Sequence, residues 1–145
     1  MKLTSPAFKE GASVPSKFTC DGEDKSPQLD ISDIPSNTKS LTLVMDDPDA
    51  PVGTWDHWIV WNIDPTTNKI LEEIEPIGIK GKNSWGRTGY GGPCPNSGEH
   101  RYFFRVYALD TKLILLEGST KKDLEKAMKG HIITEAQLIG RYKRK

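Results

Sequence analysis

The stretch "RYFFRVYAL", Arg101 to Leu109, reads as a β-strand and sets the fold class. Its aromatic and β-branched side chains suit a pleated, half-buried surface, and its period of two puts Arg101 and Tyr102 on opposite faces. Working upstream, "SLTLVMDD" (Ser40 to Asp47) alternates Leu41, Leu43 and Met45 with Thr42, Val44 and Asp46, the pattern of a strand against a core. "HWIVWNI" is predicted to place His57, Ile59, Trp61 and Ile63 on one face and Trp58 and Val60 on the other. Both faces are largely apolar, so it reads as a central strand. "QLDIS", from Gln28, gives a weaker strand signal.

Downstream of that first stretch, "STKKDLEKAMKGH" carries the marks of one short helix. Thr120 serves as N-cap, Asp123 lies in the first turn, Leu124, Ala127 and Met128 share a face, and Gly130 takes the C′ position. "HIITEAQLIGRY" suits a helix by composition, yet Ile132, Thr134, Ala136 and Leu138 alternate with Ile133, Glu135, Gln137 and Ile139, which predicts a strand. Ten prolines and thirteen glycines fall mostly between these segments, as turn chemistry for a many-stranded chain. The expectation is an all-β protein with Greek-key-like connections, formed as one domain over residues 1–145.

With 20 basic and 20 acidic residues the chain has no global field to attract nucleic acid or an anionic bilayer. The basic end, "GRYKRK", reads as a solvated terminus. "MKLTSPAF" has no apolar targeting core, and no window approaches the ~18 apolar residues of a spanning helix, so a cytosolic protein is expected. In that setting Cys20 and Cys94, the only cysteines, are expected as free thiols.

Two constellations carry chemistry. The loop from Lys80 to Glu99 is too long to be idle, and its end, "YGGPCPNSGEH", combines permissive glycines with stiffening prolines next to His100 at a strand end. The second, "DDPDAPVGTWDHW", holds Asp47 and Asp49 at the exit of one strand just before His57 opens the next, with Trp55 and Trp58 beside it. Two prolines so close to a strand exit suggest a tight turn with a cis bond, at Ala50-Pro51. The two loops are expected to meet at one end of the fold, with Asp47, His57 and His100 around one cavity.

Taken together, "DPDAP", "WDHW", "GYGGPCPNSGEHRYFFRVYALD" and "AMKGHIITEAQLIGRY" resemble the phosphatidylethanolamine-binding protein family, in its compact prokaryotic Raf kinase inhibitor-like branch. The match runs from "LTSPAF" to "GRYKR", and four ordered motifs make it specific. The resemblance implies a β-sandwich of two antiparallel sheets with one or two short helices and a small anion pocket at one end. By motif, the pocket residues fall on Asp47, His57, Gly92, Pro93, His100 and Tyr102, with Asp49, Pro51, Trp55 and Cys94 lining it. It further implies a non-enzymatic binding protein for a small anion or phosphorylated head group, without cofactor or metal; a kinase or protease partner and a homodimer stay open.

Elementary chemistry agrees with that site. Two histidines, a tyrosine hydroxyl and exposed backbone N–H groups suit a phosphate-sized anion. Asp47 is expected to accept from His57, raise its pKa and keep it cationic. Affinity should then rise on acidification. Two alternatives use the same residues: a cysteine hydrolase with Cys94 as nucleophile and His100 as base, and a zinc site from Cys94, His57, His100 and Asp47. A third is kinase or protease inhibition through a surface loop.

Overall fold

The computed structural model describes residues 1–145 and is a β-sandwich of two antiparallel sheets. The smaller sheet has the order β1 (Lys2–Thr4), β2 (Leu29–Ser32), β5 (Lys69–Ile70). The larger has the order β6 (Ile79–Lys80), β4 (Trp55–Ile63), β3 (Ser40–Asp47), β7 (Glu99–Leu109), β8 (Ile132–Lys143). A single α-helix, α1 (Lys121–Met128), connects β7 to β8, and a 3-10 turn spans Ser16–Phe18. The predicted strands and helix are all present.

Leu41, Leu43 and Met45 of β3 and Tyr102, Phe104, Val106 and Ala108 of β7 fill the core between the sheets, against Leu3, Leu29, Ile31 and Ile70 of the smaller sheet. On the other face Val44, Ile59, Trp61 and Leu109 form a second, smaller core closed by Leu124 and Met128 of α1. The larger sheet is therefore covered on both sides. This is why every residue of β3, the middle strand, is buried, and why β4, an interior strand between β6 and β3 as expected, is buried over most of its length.

The helix begins at a capping box. The Thr120 side chain accepts from the Asp123 N–H, while the Asp123 carboxylate accepts from the Thr120 N–H. It ends at Gly130, whose φ of 83° requires no Cβ. Lys121 in its first turn reaches Asp56, at 2.8 Å, and Asp46, at 3.1 Å; Arg105 also pairs with Asp46. The helix is thus tied to the ends of β3 and β4 by charge as well as by its apolar face.

Strict alternation fails twice in β4. Leu41 pairs with Ile63 and Leu43 with Val60, so Trp61 and Asn62 together face one residue of β3, and Asn62 takes the left-handed conformation with φ 55°. This bulge moves Ile63 into the large core, away from the face it was predicted to share with Ile59 and Trp61. The second bulge lies at His57. It builds the site.

Candidate anion-binding site

The antiparallel register brings the end of β3, the start of β4 and the start of β7 to one end of the larger sheet. On β7, His100 and Tyr102 continue the large-core face of Phe104, and on β3 Asp47 continues the face of Met45. On β4, simple alternation would send His57 to the other face with Ile59 and Trp61. Instead Met45 pairs with Trp58 while Asp46 pairs with Asp56, which leaves His57 as an extra residue. A bulge of this kind re-aims a side chain. His57 turns in beside Tyr102 and Trp85, with ring centroids at 5.3 and 4.9 Å.

The result is a cavity of about 290 Å³. Asp47, His57, His100 and Tyr102 line it, as do Pro51, Trp55 and Cys94. Three of the predicted residues stand outside it. Asp49 faces away, its carboxylate accepting from the Arg101 backbone N–H and guanidinium, which hold it down at about 2. Gly92 donates its N–H to Asp24 at 2.8 Å, and Pro93 offers its carbonyl to the Cys20 N–H at 3.1 Å, so the Gly-Pro pair builds the wall from behind. A Cβ on Gly92 would collide with the Phe18 carbonyl and the Asp24 carboxylate, which explains the glycine.

Both imidazoles are oriented by their Nδ1 atoms. His57 Nδ1 lies 2.7 Å from the Gly91 carbonyl, which only accepts, so Nδ1 carries the proton there. His100 Nδ1 donates to Asp47 Oδ2 at 2.7 Å. The expected Asp47–His57 pair is therefore replaced by an Asp47–His100 pair. The reason is register: β3 lies between β4 and β7, and the bulge commits His57 to Gly91 instead. Burial pushes the His57 pKa below its ordinary 6.5, outweighing the Gly91 carbonyl and the Asp47 charge, so His57 is held towards the neutral form rather than kept cationic.

The Tyr102 hydroxyl is buried and completes no hydrogen bond of good geometry, although the Asp47 carboxylate and the Cys94 backbone lie near enough to act on its pKa. Burial first, then the charge of Asp47, push its pKa far above the phenol range, so it remains a donor. Burial also pushes the Tyr90 phenol up, but that hydroxyl donates to the Phe18 carbonyl at 2.8 Å and belongs to the wall.

Two further expectations for these loops are overturned. Every peptide bond is trans, Ala50-Pro51 included. The sharp exit from β3 is made by side-chain and backbone hydrogen bonds, Asp49 N–H to Asp47 Oδ1 at 2.8 Å and Gly53 N–H to the Ala50 carbonyl at 3.1 Å. Cys20 and Cys94 are not free thiols. They form a disulfide across a separation of 74 residues, with Cα atoms 5.4 Å apart. What brings them together is the docking of the Phe18–Asp24 turn on the Tyr90–Cys94 wall through the three hydrogen bonds made by Tyr90, Gly92 and Cys20. In this form Cys94 has no thiolate, so neither the nucleophile reading nor a zinc site using its sulfur applies.

The loop reading missed Trp85 and Asn96, which also line the cavity. Asn83 shapes the Trp85 turn: its side-chain oxygen accepts from the Trp85 and Arg87 N–H groups and its amide donates to the Gly89 carbonyl. Trp85 then packs edge-on against Trp55 and His57. A tryptophan in a glycine-rich loop was the available signal.

The fold is thus a two-sheet β-sandwich in which two imidazoles from neighbouring strands line one end cavity. Residues 4–143 match the family model of the phosphatidylethanolamine-binding protein, and the chain belongs to that family. It is similar to the UPF0098 protein of Methanothermobacter thermautotrophicus, 47% identical over 99% of each chain. Among solved structures it resembles a phosphatidylethanolamine-binding protein homologue from Chlamydia trachomatis, with a TM-score of 0.96 at 44% identity, covering 99% of this chain and 97% of that one. It also resembles YbcL of E. coli, described as a member of the mammalian family, with a TM-score of 0.92 at 31% identity, covering 99% and 98%.

Proposed function

We propose that the chain is a non-enzymatic binding protein whose end cavity takes a small anion, phosphate or a phosphorylated head group. The observation that carries this is the Tyr102 hydroxyl, a donor buried in the sheet that completes no hydrogen bond to protein, at a cavity that two histidines also line. A buried donor left unpaired is costly, about 1–3 kcal/mol, and a ligand oxygen would satisfy it. With both Nδ1 atoms committed to Gly91 and Asp47, the Nε2 edges of His57 and His100 are the ones left for a ligand. Protonated, they donate to an anion; neutral, they accept from a P–OH group. Asp47, with one oxygen on His100 and the other on the Asp49 N–H, positions His100 rather than contacting the anion.

The cavity volume, about 290 Å³, suits a head group. The family's description names phosphatidylethanolamine, whose phosphate this donor set would hold. At the mouth the exposed Val52 and the half-exposed Trp85 offer apolar surface to the organic part of a ligand. Phosphate titration followed by NMR is the test. Binding should shift His57, His100 and Tyr102 resonances while leaving His131, paired with Asp110 at the far end of β7, unmoved. No shift at the cavity residues at millimolar phosphate would refute the reading.

A further inference from the structure

The cavity wall holds a bond that anion binding does not use. Cys94 lines the cavity, and Cys20 and Cys94 are both exposed. The loops they join are also held by the hydrogen bonds from Tyr90 to Phe18, Gly92 to Asp24 and Cys20 to Pro93. Pro93 and Pro95 restrict the backbone on either side of Cys94. Opening the S–S bond would thus leave Cys94 seated in the wall.

We propose that the cavity docks small anionic thiols, which exchange with the Cys20–Cys94 disulfide at Cys94. This rests on the anion-binding reading above. The decisive juxtaposition is His57, His100 and Tyr102 lining the same cavity as Cys94, an exposed residue of the disulfide. A thiol whose carboxylate or phosphate sits on those donors holds its own sulfur near Cys94, so attack becomes effectively intramolecular. The thiolate RS⁻ attacks Cys94 Sγ; the RS–Sγ bond forms as the Sγ–Sγ bond breaks, and Cys20 leaves as a thiolate that takes a proton from water. The oxidation level passes unchanged into the mixed disulfide, so no outside oxidant is required. Cys20 can re-attack to restore the bridge, or a second RS⁻ can release RSSR and the Cys94 thiolate. Attack at Cys20 has no comparable docking site.

The experiment treats the oxidised protein with mercaptopropionate, mercaptoethanol or cysteamine at matched thiolate concentration, traps freed thiols by alkylation and maps the products by mass spectrometry. Mercaptopropionate should appear on Cys94 with the alkyl label on Cys20, at about ten times the mercaptoethanol rate, and inorganic phosphate should suppress it. The variant Cys20→Ser, given the symmetrical disulfide of mercaptopropionate, should take the same adduct on Cys94 with the same suppression. Adducts chiefly on Cys20, equal rates for the three thiols, or rates indifferent to phosphate would overturn the proposal. NMR titration of phosphate on the same samples separates the failures. Phosphate binding without a charge preference in exchange refutes this inference alone, whereas no phosphate binding refutes the anion reading as well.

Discussion

His57 is a buried histidine whose folded pKa lies below the unfolded value of 6.5, with burial as the main cause. Its contribution to stability is complete above that value and is lost as pH falls towards the folded pKa, because the unfolded chain takes up the proton first. An anion that binds the protonated ring opposes this loss. Phosphate should therefore bind more tightly as pH falls from about 7.5 to 5.5, and the melting-temperature gain from phosphate should grow over the same window. His57→Ala should flatten the phosphate affinity profile and weaken binding roughly ten-fold, the loss of one charge-assisted hydrogen bond. Tyr102→Phe separates binding from structure at the neighbouring position. Since the hydroxyl completes no hydrogen bond to protein, removing it should relieve its desolvation cost and raise ligand-free stability by about 1–3 kcal/mol while weakening phosphate binding several-fold, read by thermal melts and NMR titration.

At the scale of elements, α1 and the Tyr90–Cys94 wall are the parts whose local chemistry is most exposed to test. Thr120→Ala removes the cap from α1 and should cost about 1 kcal/mol, measured by urea denaturation. Because α1 covers the smaller core and carries Lys121 onto Asp46 and Asp56, its cap supports the sheet face opposite the cavity, and phosphate affinity should be unchanged. Gly91→Ala acts on the cavity side. A Cβ there would overlap the Trp85 ring, so the indole must leave its place against His57. We expect destabilisation of about 1–3 kcal/mol from the forced repacking, together with a changed tryptophan fluorescence spectrum.

For the molecule as a whole, the Cys20–Cys94 bridge closes a long loop that runs through most of both sheets. Restricting the unfolded chain in this way is worth typically 2–4 kcal/mol. Cys20→Ser with Cys94→Ser should lower the melting temperature by several degrees and yet fold, since the cores and the hydrogen bonds between the two loops remain. An equal melting temperature with and without reductant would show that the bridge adds nothing. The bridge also bears on location. Free thiols were part of the expectation of a cytosolic protein, and the disulfide removes that support; what stands is that no helix is long and apolar enough to cross a membrane.

Residues alone determined what is periodic or capped. The alternation of β7, the strand character of β3 and β8, the Thr120 cap and the Gly130 stop are set by neighbours within a few positions and appear in the structure as read. By contrast, β3 is buried on both faces, and at the start of β8 Ile133 rather than Ile132 joins the core beside Ala136 and Leu138. The family motifs also located the two loops that line the cavity. Tertiary structure decided the rest, because it depends on partners far apart in the chain. His100 faces Asp47 across 53 positions, His57 meets Gly91 across 34, and Cys20 meets Cys94 across 74. No local pattern announces that β3 runs one residue short of β4 at His57, and that offset is what points the imidazole into the cavity. Hydrophobic period determines which face of a strand is buried, whereas register determines which polar groups meet there, and register is fixed only when the sheet closes.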